Sequence, residues 1–403
     1  METLFDALSR ELGRAWKPHR APHTPRAYRC RCGRAIFFRN SRCLGCGAEL
    51  GYEPARMILA ALEPVDAAPA AVAGAVRTAP AEAPPLQWRL HGDTADAPLL
   101  QRCANFDSAA GCNWMVESAD AHRHQGLCRA CRLNRFIPHQ SDPFNREAWS
   151  RIENAKRRLV SSLLGLGLPV RSRLSEDPQR GLAFDFLRSP PEGPRVVTGH
   201  VDGVITLDVE EADDARREAL RHELREPYRT LLGHLRHEVG HYYWDRLVRD
   251  GAWLESFRAL FGDERADYAA ALARNYEHGP PADWATRHVS AYASAHPWED
   301  WAESWAHYLH MVDTMDTALS FGLEADNVEL SYEPFTRAHL WRTDDPGADG
   351  FLGFVNAWIE LTGVLNELSR SMGQPDFYPF VLPHAAVRKM HFIHCVVRDA
   401  AQG

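Results

Sequence analysis

Apolar positions recur at helical spacing from about residue 143 onward, interrupted by two short stretches of strand-like alternation. Ser141-Asp142-Pro143 is a cap followed by Pro at the first helical position, where the missing N–H would be unpaired in any case. A helix is predicted from there to about Leu164, with Trp149, Ile152, Leu159 and Leu163 on one face and Gly165 ending it. Strands are predicted at Ala183–Leu187 and within Arg195–Val209, where Val204-Ile205-Thr206-Leu207 follows an Asp202-Gly203 turn. Past Pro227 the pattern is mostly helical. Gly233–Arg249, Pro297–Thr314, Phe351–Met372 and Pro383–Val397 are the predicted helices. Trp298, Trp301 and Trp305 form a stripe at helical spacing and read as a buried face. Tyr242-Tyr243-Trp244 reads as packing for the same reason.

The N-terminal part carries other signals. Residues 67–85 hold thirteen Ala or Pro in nineteen positions, and only Arg77 and Glu82 are charged, the composition of an extended linker. The expected organisation is a zinc ribbon over 1–62, a linker over 63–98, a second four-cysteine module over 99–140 and a larger domain over 141–403. A chain of 403 residues with 45% hydrophobic and 25% charged positions is ordinary for a soluble globular protein. No apolar run approaches the ~20 residues that span a bilayer, so no membrane partner is expected. Met1-Glu2-Thr3-Leu4-Phe5-Asp6 is acidic and lacks an apolar signal core, which points to a cytoplasmic location.

Nine cysteines change the picture, because eight fall in two sets of four. The first is Cys30-x-Cys32 with Cys43-x-x-Cys46, each pair followed by a glycine, Gly33 or Gly47. Two thiolates on one tight turn form half of a tetrahedral sulfur site, and Zn²⁺ prefers that set. The second is Cys103, Cys112 and Cys128-x-x-Cys131, with His122 and His124 nearby as alternative ligands for a mixed site. Disulfides are the competing reading, but a chain without an export signal sits in a reducing compartment. Modules this small have little core, and structural zinc would supply on the order of 10–16 kcal/mol of their folding free energy. Cys395, in Phe392-Ile393-His394-Cys395-Val396-Val397, is expected to be a buried free thiol.

Charge is uneven. The net charge is −8, yet residues 1–60 carry eleven Arg or Lys against five Asp or Glu, a local +6 that leaves −14 on the rest. A nucleic-acid or protein partner on the basic ribbon, through Arg29, Arg31, Arg34, Arg39 and Arg42, is therefore one reading. It makes the chain an adaptor, and a combined version targets an enzymatic domain to its substrate.

The other reading starts from His237-Glu238-Val239-Gly240-His241. Residues four apart share a helix face, so both imidazoles can reach one metal ion, and Glu238 then lies beside the open position as a general base. Gly240 would let another backbone approach closely. A catalytic zinc needs a third protein ligand and an open fourth place. Downstream, Glu299, Glu303 and His307 lie on one face of the helix that Pro297 begins, and acids among tryptophans are costly without a cation to pair with. Glu299 and Glu303 compete for the ligand role. His234, His307 and His310 are expected to be packing or surface residues.

These residues resemble the gluzincin metallopeptidases, in one subgroup of which a Tyr precedes the ligand Glu by seven residues and a second Glu follows it by four; Tyr292, Glu299 and Glu303 match. The resemblance implies Glu299 as third ligand, Tyr292 as an oxyanion-stabilising phenol and Glu303 as an acceptor orienting an imidazole. The two four-cysteine groups, Cys128-Arg-Ala-Cys131-Arg-Leu-Asn-Arg, the segment from Glu226 through His241 and the Trp-rich helix further resemble a bacterial family of zinc-binding metallopeptidases with an N-terminal zinc ribbon. The implied fold is α+β, two small four-cysteine zinc modules followed by a mostly helical zincin-like domain with a small β-sheet. The implied activity is hydrolysis of a peptide or protein substrate, with one catalytic and two structural zinc ions. Strand Val204–Leu207 is expected to pair with extended substrate as an added strand.

Overall fold

The computed structural model describes Thr3 and residues 26–65, 86–223, 229–323 and 330–402. The expected Ala/Pro linker over 67–85, the Glu226-Pro-Tyr run and most of the first 25 residues lie outside them. The described chain is α+β, two four-cysteine groups followed by a mostly helical domain with a small sheet.

Around the first cysteine set, β1 (Tyr28–Arg29) pairs antiparallel with β2 (Ala35–Ile36). The two turns that carry the sulfurs close on glycines in the left-handed region, Gly33 at φ 82° and Gly47 at φ 72°. Gly33 N–H donates to Cys30 O at 2.8 Å and Gly47 N–H to Cys43 O at 2.9 Å, which a side chain at either position would strain. The second set hangs from a five-stranded antiparallel sheet made of β3 (Leu50–Glu53), β4 (Ile58–Val65), β5 (Gln87–Leu90), β6 (Leu100–Arg102) and β7 (Met115–Glu117) in sequence order. β4 pairs with β5 from Leu62↔Leu90 to Val65↔Gln87. The first cysteine group, on the separate β1–β2 pair, leads directly into β3, so the two groups are joined through the five-stranded sheet. Tyr52 and Trp114, both fully buried, meet across it with ring centroids 4.9 Å apart.

That sheet sits on α1 (Pro143–Gly165), where Tyr52 OH meets Ser161 Oγ at 2.8 Å. Asp142 caps α1 by accepting from Phe144 N at 2.8 Å, and Pro143 follows as predicted. A second sheet, in the order β10–β11–β9–β8, contains β8 (Asn134–Phe136), β9 (Ala183–Leu187), β10 (Gly199–Val201) and β11 (Val204–Asp208). Asp202 and Gly203, both at positive φ (47° and 79°), turn the β10–β11 hairpin. One expectation is corrected here. Val204–Leu207 lies on β11, which is hydrogen-bonded on one side to β10 and on the other to β9. An interior strand has no free edge, so it cannot accept an added strand.

The remaining helices of eight or more described residues are α2 (Asp214–Glu223), α3 (Leu231–Leu247), α4 (Leu254–Phe261), α5 (Tyr268–His278), α6 (Pro297–Ser320), α7 (Ala348–Ser371) and α8 (His384–Gln402). Thr230 caps α3 by accepting from Gly233 N at 2.9 Å. The central contact is α3 on α6. A Cβ at Gly240 would stand 3.1 Å from Ala302 Cα and 3.2 Å from Trp305 Cδ1, so glycine sets how closely the two backbones approach. Trp301 Nε1 donates to Gly240 O at 2.9 Å and locks the crossing. Trp301 and Trp305 are fully buried, as their spacing predicted. The main apolar core runs from Tyr28 in the ribbon to Val397 on α8, and a smaller cluster of Leu62, Trp88, Leu90, Leu100 and Met115 lies on the five-stranded sheet.

Candidate metal centre

The α3–α6 crossing brings together side chains that the sequence keeps far apart. His237 and His241, one turn apart on α3, present their Nε2 atoms 3.2 Å from each other. From the first turn of α6, Glu299 places Oε2 3.1 Å from His237 Nε2 and Oε1 3.6 Å from His241 Nε2. All three donors lie within 4.8 Å of one another. A tetrahedron with ~2.0–2.1 Å bonds, the Zn–N and Zn–O range, has edges of about 3.3 Å, and these separations fit it. Glu303, one turn further along α6, meets the opposite side of the same ring: its Oε1 is 2.7 Å from His237 Nδ1. Ser290 Oγ donates to Glu303 Oε2 at 2.6 Å. Of the two competing acids, Glu299 thus faces both imidazoles and Glu303 only the rear of one. Tyr292 lies beside them, its ring centroid 6.0 Å from that of His237.

The electrostatics follow from burial. Glu299 and His241 are almost fully buried. Burial would push the Glu299 carboxyl up, but His241 and His237 outweigh it and hold it at about 2. Burial would push His237 down, but Glu299 and Glu303 raise it well above the ordinary imidazole range. His241 is lowered by burial, against the pull of Glu299. Two buried carboxylates, Glu238 and Glu299, and the half-buried Glu303 crowd two imidazoles, a charge pattern that a dication would complete. Three buried atoms in this group, Glu238 Oε2, His241 Nδ1 and Glu299 Oε2, have no hydrogen-bond partner.

Two residues at the centre were given no role from the sequence. Tyr268 on α5 donates to Glu299 Oε1 at 2.7 Å. His234, expected as packing or surface, instead meets Glu211 and Glu238, with Nδ1 2.6 Å from the first and Nε2 3.3 Å from the second. A His-x-x-x-Glu pair at helical spacing was the available clue. His307 packs as expected, buried with Nδ1 2.6 Å from Tyr378 OH. His310 Nδ1 sits 2.6 Å from Arg236 Nη1.

The cysteines form the two sets the spacing predicted, with all four sulfurs of each within 4.8 Å of one another. Cys30 and Cys46 sulfurs are 3.6 Å apart, Cys32 and Cys43 3.8 Å, and Cys112 and Cys128 3.6 Å. A disulfide needs ~2.05 Å, whereas the edge of a tetrahedron with ~2.3 Å bonds is about 3.8 Å. The disulfide reading is therefore overturned and the sulfur sets fit zinc. His122 and His124 stay out of the second set. The backbone N–H groups of Cys46 and Gly45 hold the Cys43 thiol at about 6, ready to serve as thiolate. The first set is half exposed and the second buried. Arg29, Arg31, Arg34, Arg39 and Arg42 are all exposed around the first. Cys395 is a buried free thiol, 3.7 Å from His391 Nε2. An open cavity lined by Arg26, Phe38, Arg158, Leu232 and Phe321 lies where ribbon meets helices, away from the α3–α6 donors.

Residues 145–396 match the model of a family described as "Putative zinc-binding metallo-peptidase". Residues 27–142, spanning both cysteine sets, match a zinc-ribbon domain. An uncharacterized protein of Mycobacterium tuberculosis (strain H37Rv) and one of Mycobacterium bovis are each 42% identical over 371 residues, covering 92% of this chain and 94% of the relative. No solved structure matches significantly. Among the described residues, no helix is long and apolar enough to cross a membrane.

Proposed function

We propose that this chain, which belongs to the family of zinc-binding metallo-peptidases, hydrolyses peptide bonds at the crossing of α3 and α6. The observation that carries the reading is the convergence of His237 Nε2, His241 Nε2 and the Glu299 carboxylate, all within 4.8 Å of one another, as ligands of one ion must be. In this reading the centre is gluzincin-like, with Glu299 as third ligand. Two further zinc ions occupy the four-cysteine sets and act structurally, giving three per chain.

Bound between these three residues, zinc supplies Lewis acidity, lowering the pKa of water toward ~7 and polarising a carbonyl. The chain's own groups do the rest. Glu238, the residue after the first ligand, takes a proton from the attacking water at its unpartnered Oε2 and delivers it to the leaving nitrogen. Tyr292 donates its phenolic proton to the oxyanion, and it stays a donor because burial raises its pKa far above neutrality. Glu303 fixes the His237 ring by accepting from Nδ1, itself steadied by Ser290. The substrate in this reading is a peptide or protein.

Glu238→Gln separates this reading from others. It keeps shape and leaves all three ligands. The expected result is unchanged zinc content by elemental analysis and a 10²- to 10⁴-fold loss of casein cleavage. Undiminished cleavage by the zinc-loaded variant would remove Glu238 as the base.

A further inference from the structure

His234 stands one helical turn before Glu238 and is shared by two acids. Its Nδ1 lies 2.6 Å from Glu211 Oε2 and its Nε2 3.3 Å from Glu238 Oε1. Glu211 is held in turn. Thr198 Oγ1 donates to its Oε1 at 2.6 Å, and Arg229 Nη2 stands 3.6 Å from Oε2. Glu211 belongs to the short turn Val209–Ala212 that leaves β11. A chain of contacts therefore runs from the small sheet through an imidazole to the acid beside the first metal ligand. At its end, Glu238 is buried; His234 touches one oxygen, and the other, Oε2, has no partner.

An imidazole that serves carboxylates through both nitrogens donates twice only as the imidazolium. Its neighbourhood supports that form. Burial would lower His234, but Glu211 and Glu238 outweigh it and hold it at about 9. A carboxylate at the end of a Glu side chain has a broad terminal torsion. Fixing one oxygen removes that freedom and leaves the second in one place. A proton acceptor displaced by about 1 Å can lose on the order of 10²-fold in rate.

We infer that His234, anchored by Glu211, is a positioning residue: it grips one oxygen of Glu238 and keeps the other clear for proton transfer. The inference rests on the peptidase reading and adds to it a part that the His-Glu-x-x-His pattern does not contain.

The test uses the full zinc-loaded chain and four variants, His234→Ala, His234→Gln, Glu211→Gln and Glu238→Gln, with labelled casein as substrate. His234→Ala is expected to lower kcat by about 10²-fold, with zinc content and KM within about twofold. His234→Gln, which keeps an N–H donor, is expected to retain more activity, and added imidazole is expected to restore part of the His234→Ala loss. Unchanged kcat in zinc-loaded His234→Ala would overturn the inference, as would a loss that neither glutamine nor imidazole relieves. A second readout does not need turnover: in a crystal structure of zinc-loaded His234→Ala, the Glu238 carboxylate should rotate from its wild-type orientation. A carboxylate that stays put overturns the inference whatever the rates. Failure of the peptidase reading looks different, since wild type and Glu238→Gln would then bind zinc and be equally inactive.

Discussion

Asp313 shows how much of this molecule turns on single buried charges. It accepts from Arg26 Nη2 at 3.1 Å, Arg158 Nε at 2.8 Å and Arg236 Nη2 at 2.7 Å. Those arginines come from the start of the described ribbon, from α1 and from α3, and Arg236 immediately precedes His237. Burial would raise the Asp313 carboxyl, yet the three guanidinium groups hold it far below the usual range. Removing one member of a buried ion network strands the others without solvent. Asp313→Ala should therefore cost about 3–5 kcal/mol, read as a lower urea midpoint with an unchanged slope. A loss under about 1 kcal/mol would mean that Asp316, 2.8 Å from Arg26 Nε, takes over the pairing.

At the scale of elements, the two sulfur sets divide by where they sit. The first is at the surface, with Cys32 and Cys46 exposed. The second is buried against α1. Cys131 Sγ lies 3.9 Å from Glu153 Oε2, Arg157 Nη2 donates to Ala110 O at 3.0 Å, and Lys156 pairs with Glu153 at 2.7 Å, all on that helix. Four thiolates around zinc carry about −2, and Arg157 beside them offsets part of it. Cys46→Ser and Cys112→Ser should each remove one zinc per chain. Only Cys112→Ser should also lower the melting temperature of the helical domain by several degrees, because it loosens the face on which α1 rests. Equal shifts in calorimetry would show that the second set does not brace α1.

The same division marks what the sequence could disclose. Spacing along one element was readable: the two histidines a turn apart, the knuckles with their glycines, the Asp142-Pro143 start and the tryptophan face. Each is a local geometric rule, fixed by the period of a helix or the reach of a turn. Glu299 and Glu303 stood out as acids on one helix face, whereas the choice of Glu299 and the place of Tyr292 came by resemblance; the structure gathers Glu299 and Tyr292 at the histidines. Contacts set by how elements dock were not readable. Tyr268 reaches Glu299 from a separate helix, and Glu211 reaches His234 from the end of a strand. The interior place of β11 was also hidden, because Val204–Leu207 alternates in the same way whether its edge is free or paired. The five-stranded sheet escaped for a different reason: short, weakly patterned strands such as Leu100–Arg102 gain their identity from neighbours.

Across the whole molecule, the main apolar core and several long-range ion pairs tie ribbon to helices. The pairing of β4 with β5 has a practical corollary. Both strands flank the Ala/Pro-rich stretch, and they are held to each other by four residue pairs. Cutting the polypeptide once between Val65 and Gln87 would leave the two fragments clasped along that seam. They should co-elute by size exclusion in buffer and part only in denaturant, whereas release in buffer would show the seam too weak to hold. A nicked preparation would therefore pass as intact in any assay that never unfolds it, and a domain trimmed at residue 66 would lose a strand's partner along with its zinc.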